Sequence, residues 1–370
     1  MARGVTICGM SGKDQFPEVR RLLVVLPSWV GDVVMATPTL RALRGLYPDA
    51  QITALVKQSV KPVIDACPFV DRIMPIRQRS RSGAAGPVNW LRRRTFAALA
   101  ARLKARHFDA AVLLPNSFRA ALLARLAQVP RRIGYDRDGR GFLLTDRLLA
   151  IREAGKFVPT SAVNYYLGLA KYLGAEATDA SMRLFTRPAD DAAADQLLRK
   201  AGLKGDERLV MLNPGANYGD AKMWPAPRFA ETADRLIERQ GVTVLVNGSP
   251  KERKILDEVH ATAKHALIDL PRMGGDLTLL KSMVKRCELM VTNDTGPRHI
   301  AAAFGVPVVT VFGPTDPRWS RIDFGGERIV RVDVFCGPCQ KKICPLDHRC
   351  MTGVSAEMVV KEAEGLMERR

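Results

Sequence analysis

Arg21-Leu22-Leu23-Val24-Val25-Leu26-Pro27-Ser28-Trp29-Val30-Gly31-Asp32 is the stretch from which the fold is read. Its first seven residues form a short apolar run closed by proline, the pattern of a strand buried on both faces. A polar, glycine-containing turn follows, and helical spacing then runs over residues 33–47. Further strands read at 52–56 and 110–114, and the grammar returns in the second half. There 209–212, 242–246, 289–292 and 308–312 read as strands, with helical patterns at 227–239 and from Gly296. Strand–helix alternation in both halves predicts two α/β units with parallel sheets. Ligands of such sheets bind in the loops after the strands, here 27–32, 115–119, 213–224, 247–252, 293–299 and 313–316.

Composition and charge narrow the class. The chain has 370 residues, 47% hydrophobic and 26% charged, enough to bury ordinary cores and incompatible with wholesale disorder. The longest nearly apolar stretch, 300–313, is broken by glycine and proline and falls short of the about 20 residues a membrane span needs. The first twenty residues carry charges and no apolar core of a signal peptide, and seven cysteines without such a signal fit a reducing compartment. The expectation is a soluble cytoplasmic protein. The net charge of +19 is uneven: residues 1–185 hold 29 Lys and Arg against 13 Asp and Glu, residues 186–370 hold 28 against 25. The basic half should attract a polyanion, whether nucleic acid, an anionic membrane or a phosphorylated substrate. The stretch 77–94, rich in Ser, Gly and Arg, reads as a mobile loop running into a basic helix.

Several common chemistries lack their motifs. No G-x-G-x-x-G follows the first strand, and there is no P-loop, H-E-x-x-H or G-x-S-x-G. Three strand ends carry polar groups instead. Asp32 follows Gly31 at a helix start, where an N-cap is its ordinary role. Asn213-Pro214-Gly215-Ala216-Asn217 offers backbone N–H groups, and Lys222 adds a cation that suits a phosphate or merely faces water. Asn293-Asp294-Thr295-Gly296-Pro297-Arg298-His299 opens a helix, whose free N–H groups favour an anion. Gly248-Ser249 with Glu252 adds a carboxylate that suits a ribose diol or a helix cap.

In order along the chain, Gly31-Asp32, the segment 214–225 and Asn293-Asp294-Thr295-Gly296 with His299 resemble glycosyltransferase family 9, the lipopolysaccharide heptosyltransferases. The resemblance covers about residues 21–360. It implies the GT-B architecture, an α/β fold of two Rossmann-like domains with parallel sheets facing across a cleft. The implied division is an extension at 1–20, an acceptor domain at 21–185, a sugar-nucleotide domain at 186–350 and a C-terminal helix in 351–370 packing back on the first domain. The implied donor is ADP-L-glycero-D-manno-heptose, and the acceptor a lipid A–Kdo–heptose core at the cytoplasmic face of the inner membrane. The implied reaction inverts the anomeric carbon and uses no cofactor or catalytic metal.

The resemblance also assigns roles. Asp32 is the expected base, with Lys222 and Asp294 completing the catalytic set. Gly215, Ala216, Lys222, Gly248, Glu252, Asp294, Thr295, Gly296 and His299 are the expected donor-binding residues. Ser28, Trp29, Gly31, Asn116, Ser117 and Arg119 are those on the acceptor side. Two departures stand out: Asp220 lies where proline is frequent, and Pro297-Arg298 replaces a more apolar pair, setting a charge near the donor phosphates or on a surface. The alternatives are a family relative with another donor or acceptor, a sugar-nucleotide-binding module without catalysis, and a nucleic-acid-binding protein. The last has no recognition-helix or RNP-type motif, and only 6% of residues are aromatic, so no nucleic-acid partner is expected.

Cys336-x2-Cys339-x4-Cys344-x5-Cys350, with His348 inside it, has zinc-ligand residue types at spacings short for a zinc ribbon. A structural metal, a redox-sensitive pair and a compact reduced loop all fit. Cys8, Cys67 and Cys287 read as ordinary small residues.

Overall fold

The computed structural model describes residues 18–76 and 88–368. Most of the extension 1–20 and of the loop 77–94 therefore lies outside the described residues; a helix at Val88–Lys104 takes up the end of the latter. Six parallel strands form the first sheet: β1 (Arg21–Val25), β2 (Gln51–Lys57), β3 (Arg72–Ile76), β4 (Ala110–Leu113), β5 (Arg131–Tyr135) and β6 (Asp146–Leu148). A short antiparallel pair, β7 (Arg152–Glu153) and β8 (Lys156–Phe157), follows. The second sheet is again six-stranded and parallel: β9 (Leu209–Asn213), β10 (Thr243–Val246), β11 (Ile268–Asp269), β12 (Leu289–Asn293), β13 (Val308–Val311) and β14 (Glu327–Val330).

The strand orders are 3-2-1-4-5-6 and 11-10-9-12-13-14. The two halves thus repeat one doubly wound topology. Its physical basis is plain at β1 and β9, whose apolar residues are buried because helices cover both faces of a parallel sheet. The helical spacing read over 33–47 is two helices, Val30–Met35 and Thr37–Leu46. The second begins afresh with Pro38 in its first turn, where a missing N–H costs nothing.

The chain divides after Ala180 rather than after residue 185. Lys281, a buried residue of the second unit, donates to the Phe185 carbonyl at 2.8 Å and holds the connecting segment there. The first core gathers Leu23, Leu55, Leu103, Leu113 and Leu123 around β1 and β4. The second is built on Val210, Trp224, Phe229, Val244 and Val291.

The C-terminal helix, Ala356–Met367, is capped by Ser355 Oγ at Met358 N and is seated in the second core. Val359, Val360, Leu366 and Met367 are buried there, each such side chain worth roughly 1.5–3 kcal/mol. Trp224 Nε1 also donates to the Val354 carbonyl just before the helix, at 3.0 Å. Among the described residues no helix is long and apolar enough to cross a membrane.

Candidate active site

In each sheet the strand order reverses between the first and fourth strands, and a crevice opens at the carboxyl ends of such neighbours. The helix start after β1 carries Asp32 and the loop after β4 carries Asn116; the segments after β9 and β12 carry Lys222 and Asp294. Both halves therefore place predicted residues at a switch point.

In the first unit Trp29, not Asp32, is the N-cap of helix Val30–Met35, and Asp32 lies in its first turn. The carboxylate is half-buried, and Tyr166 Oη donates to its Oδ1 at 3.2 Å. Burial and the Asp32 charge hold the Tyr166 hydroxyl well above its usual pKa, so it remains a donor. The neighbouring Tyr165 donates to Asn116 Oδ1 at 2.9 Å and stacks on Tyr135 at 3.8 Å. Arg140, wholly buried, donates to the carbonyls of Tyr135 and Pro115 and reaches Asn116 Oδ1 at 3.4 Å. Asp32 and Asn116 are thus both tied to helix Ala162–Tyr172, through adjacent tyrosines. Gly31 is buried, Ser28 is half-buried, and Ser117 and Trp29 are exposed. Arg119 is exposed, its guanidinium 5.0 Å above the Phe96 ring.

In the second unit Lys222 and Asp294 form an ion pair of 2.5 Å with both side chains nearly buried. Both Asp294 oxygens are engaged inside the chain. Oδ2 accepts from Lys222 Nζ and from Thr315 Oγ1 at 3.0 Å; Oδ1 accepts from Arg298 and Ser320 Oγ, each at 3.2 Å. Burial raises the carboxyl's pKa, but the charges of Lys222 and Arg298 outweigh it and bring it to about 2. Arg298 is therefore neither on a surface nor aimed outward: it is fully buried and paired with Asp294 and Glu327.

The remaining donor-side residues gather around this pair. Asn293 binds the Pro214 carbonyl at 2.7 Å, and Asn213 bridges to Thr292 and Thr295 at 3.3 Å, so the loops after β9 and β12 are fastened together. Thr295 is the N-cap of helix Gly296–Ala303 but makes no side-chain cap, which leaves the Gly296 N–H for another acceptor, Pro297 having none. Gly215 and Ala216 are buried; a Cβ on Gly215 would run into the Glu252 carboxylate. Glu252 accepts from Ser249 N at 2.6 Å, so the helix-cap role is present, and Gly248 lies against Leu256. His299 is buried, its Nδ1 has no hydrogen-bond partner among the described residues, and burial lowers its pKa to about 3, so the ring is neutral near pH 7.

The four cysteines 336, 339, 344 and 350 line one cavity of about 150 Å³ beside Ala221. All are free thiols, and among the described residues no three His, Cys, Asp or Glu side chains are grouped to hold a metal. The segment braces the Lys222 loop. Ala221 N donates to the Lys342 carbonyl at 3.1 Å, Tyr218 Oη to Gln340 O at 2.7 Å, and His348 Nε2 to Ala221 O at 2.8 Å. Gly219 is required at this contact, because a Cβ there would strike the Lys342 carbonyl.

Sequence reading missed Tyr165, Tyr166, Arg140, Thr315 and Ser320. Each lies 21 to 134 residues from its partner, and a lone tyrosine or serine carries no spacing signal. A larger cavity of about 300 Å³, lined by Asp195, Arg199, Lys204, Glu207 and Arg286, lies at the amino end of β9, opposite the loops that carry this chemistry.

The sequence matches glycosyltransferase family 9 (heptosyltransferase) over residues 96–349. It is 30% identical over 355 residues to lipopolysaccharide heptosyltransferase 2 of Salmonella typhimurium, covering 94% of this chain and 98% of the relative. The heptosyltransferase 2 of Escherichia coli K12 is 29% identical with the same coverage. Among solved structures, E. coli ADP-heptose lipopolysaccharide heptosyltransferase II matches with a TM-score of 0.77 and 25% identity, covering 94% of this chain and 99% of that one. The repeated 3-2-1-4-5-6 units are accordingly those of the GT-B architecture.

Proposed function

The chain belongs to glycosyltransferase family 9, the heptosyltransferases of lipopolysaccharide core synthesis, and we propose that it moves a heptose from ADP-L-glycero-D-manno-heptose to an inner core already bearing one. The transfer inverts the anomeric carbon. The acceptor hydroxyl bonds to that carbon while Asp32 takes its proton. The bond from the carbon to the ADP oxygen breaks, and its electron pair leaves on the diphosphate. Lys222 and the uncapped N–H of Gly296 meet the developing charge, the kind of contact whose loss costs about 10²–10³-fold in rate. Asp294 holds Lys222 in place. Glu252 and Gly248 take the ribose, Gly215, Ala216 and Thr295 line the diphosphate, and His299 supports that loop as a neutral ring.

On the acceptor side, Trp29 offers an exposed flat face, and Ser28, Gly31, Asn116, Ser117 and Arg119 surround the sugar and its anions. The basic first half suits an acceptor rich in phosphate and carboxylate, presented at the cytoplasmic face of the inner membrane.

One observation carries this reading: a lysine held at 2.5 Å by a buried carboxylate, at a switch point whose helix start has no side-chain cap. Such a cation with an adjacent uncapped N–H suits a diphosphate leaving group. The test is a mass-resolved transfer assay with purified protein, EDTA, ADP-heptose, and lipid A–Kdo acceptors carrying no heptose or one. A gain of one heptose only on the acceptor already bearing one supports the proposal. Gain only on the unheptosylated acceptor changes the acceptor, and gain on neither rejects the transfer.

A further inference from the structure

Arginine is among the side chains least often fully buried, and Arg298 is fully buried beside the candidate donor site. Its Nε and NH2 form a fork on Glu327 at 2.5 and 2.9 Å, the rigid two-point geometry of a guanidinium on a carboxylate. Glu327 is held in turn by Thr310 Oγ1 at 2.9 Å. That arrangement already satisfies the charge of Arg298, yet NH1 goes further. It reaches Asp294 Oδ1 at 3.2 Å and the carbonyl and Oγ of Ser320, both at 3.0 Å. Ser320 Oγ also donates to Asp294 Oδ1. The Asp294 carboxylate is therefore divided: one oxygen is anchored to Arg298 and Ser320, and the other holds Lys222 and Thr315. A carboxylate anchored by one oxygen cannot rotate, so the direction in which its other oxygen holds a lysine is set.

Resting on the reading of Lys222 and Asp294 given above, we infer that Arg298 is a positioning residue: locked by Glu327, it orients Asp294 so that Lys222 is presented to the donor diphosphate. Arg298 also shares the charge of Asp294, which leaves the Lys222 ammonium less neutralised for an incoming anion. Arg298 itself touches no substrate.

The test separates this role from mere burial of an ion pair. R298M alone orphans Glu327, so the informative protein is R298M/E327Q, which removes both charges together. Melting temperature, ADP affinity by calorimetry, and kcat and KM for ADP-heptose are measured beside wild type. The expected result is a melting temperature close to wild type, with kcat and ADP affinity each lowered by about ten-fold or more; the KM for the acceptor, measured alongside, stays unchanged. Wild-type kcat and ADP affinity in the double variant would overturn the inference, because Arg298 would then serve only to neutralise Glu327. If the double variant does not fold, R298K, which keeps the buried charge but not the fork, is read by the same two outcomes. Should wild type bind ADP but transfer no heptose, the functional reading fails, and the ADP affinities of the variants alone decide the role of Arg298.

Discussion

Lys222 Nζ stands 2.5 Å from Asp294 Oδ2 and 3.2 Å from the carbonyl oxygen of the same residue, so a single residue grips the ammonium from two sides. Tyr218 lies under it, with the ring centre 4.8 Å away. A lysine on a flexible loop would have to be ordered whenever a ligand arrived; here the buried pair has ordered it in advance. Replacing Lys222 by Ala should lower kcat/KM for the donor about 10²–10³-fold and weaken ADP binding. The stability loss should fall below the about 3–5 kcal/mol of an orphaned buried charge, because Arg298 still faces Asp294. Steady-state kinetics, ADP calorimetry and urea unfolding read the three effects separately.

Asp32 and Tyr166, in the first unit, supply a second expectation. D32N should reduce kcat by about 10²–10⁴-fold while ADP affinity stays at the wild-type value. Y166F removes the hydroxyl that donates to Oδ1 and should move the acidic limb of the pH–kcat profile to higher pH. An unmoved limb in Y166F would separate Asp32 from the titrating base.

His299 sets a pH window for stability. Burial depresses its folded-state pKa to about 3 against 6.5 for the unfolded chain. Between those values the unfolded state binds a proton that the folded state does not, so stability falls as pH is lowered from about 6.5 toward 3. Above that window His299 contributes no slope. Asp294 acts lower down: depressed to about 2, it holds its contribution down to about pH 4 and loses it as pH falls through 2. Urea midpoints measured from pH 7 to 4 should show a limb that H299N flattens and D294N leaves in place.

The thiols should sort by burial under native alkylation. Cys336, Cys339 and Cys344 are partly exposed and should label with iodoacetamide, as read by peptide mass spectrometry. Cys67 and Cys287 are buried and should stay protected; burial pushes the Cys287 thiol up to about 12. Cys350, buried and raised by burial and by its three neighbouring thiols, should label last of the cluster. Because this segment braces Ala221 and Tyr218, labelling should also weaken ADP binding. Retained ADP affinity in fully labelled protein would show that the brace does not reach Lys222.

Much of this protein is legible in the chain itself. Apolar runs at 21–27 and 209–212 each followed by a polar glycine turn report parallel strands and their ligand-bearing loops, because hydrophobic period and turn chemistry are local properties. The same locality makes Asp32, Lys222 and Asp294 visible as polar groups at strand ends. The edge strands β3, β6, β11 and β14 are not legible, since short half-exposed strands carry little periodicity, and neither is the interior strand β5, whose Arg131-Arg132 start breaks its apolar run. What only the tertiary structure decided is which groups meet. The C-terminal helix entered the second core because its apolar face fits there, which its amphipathic pattern alone could not specify. From sequence Arg298 reads as a charge near the donor phosphates or on a surface; its burial shows only once Glu327, 29 residues later, is folded against it. Tyr166 reaches Asp32 across 134 residues, and Ser320 reaches Asp294 across 26. Local sequence determined the elements and the kinds of side chain at their ends; the pairing of buried charges depends on distances that exist only once the sheets are assembled.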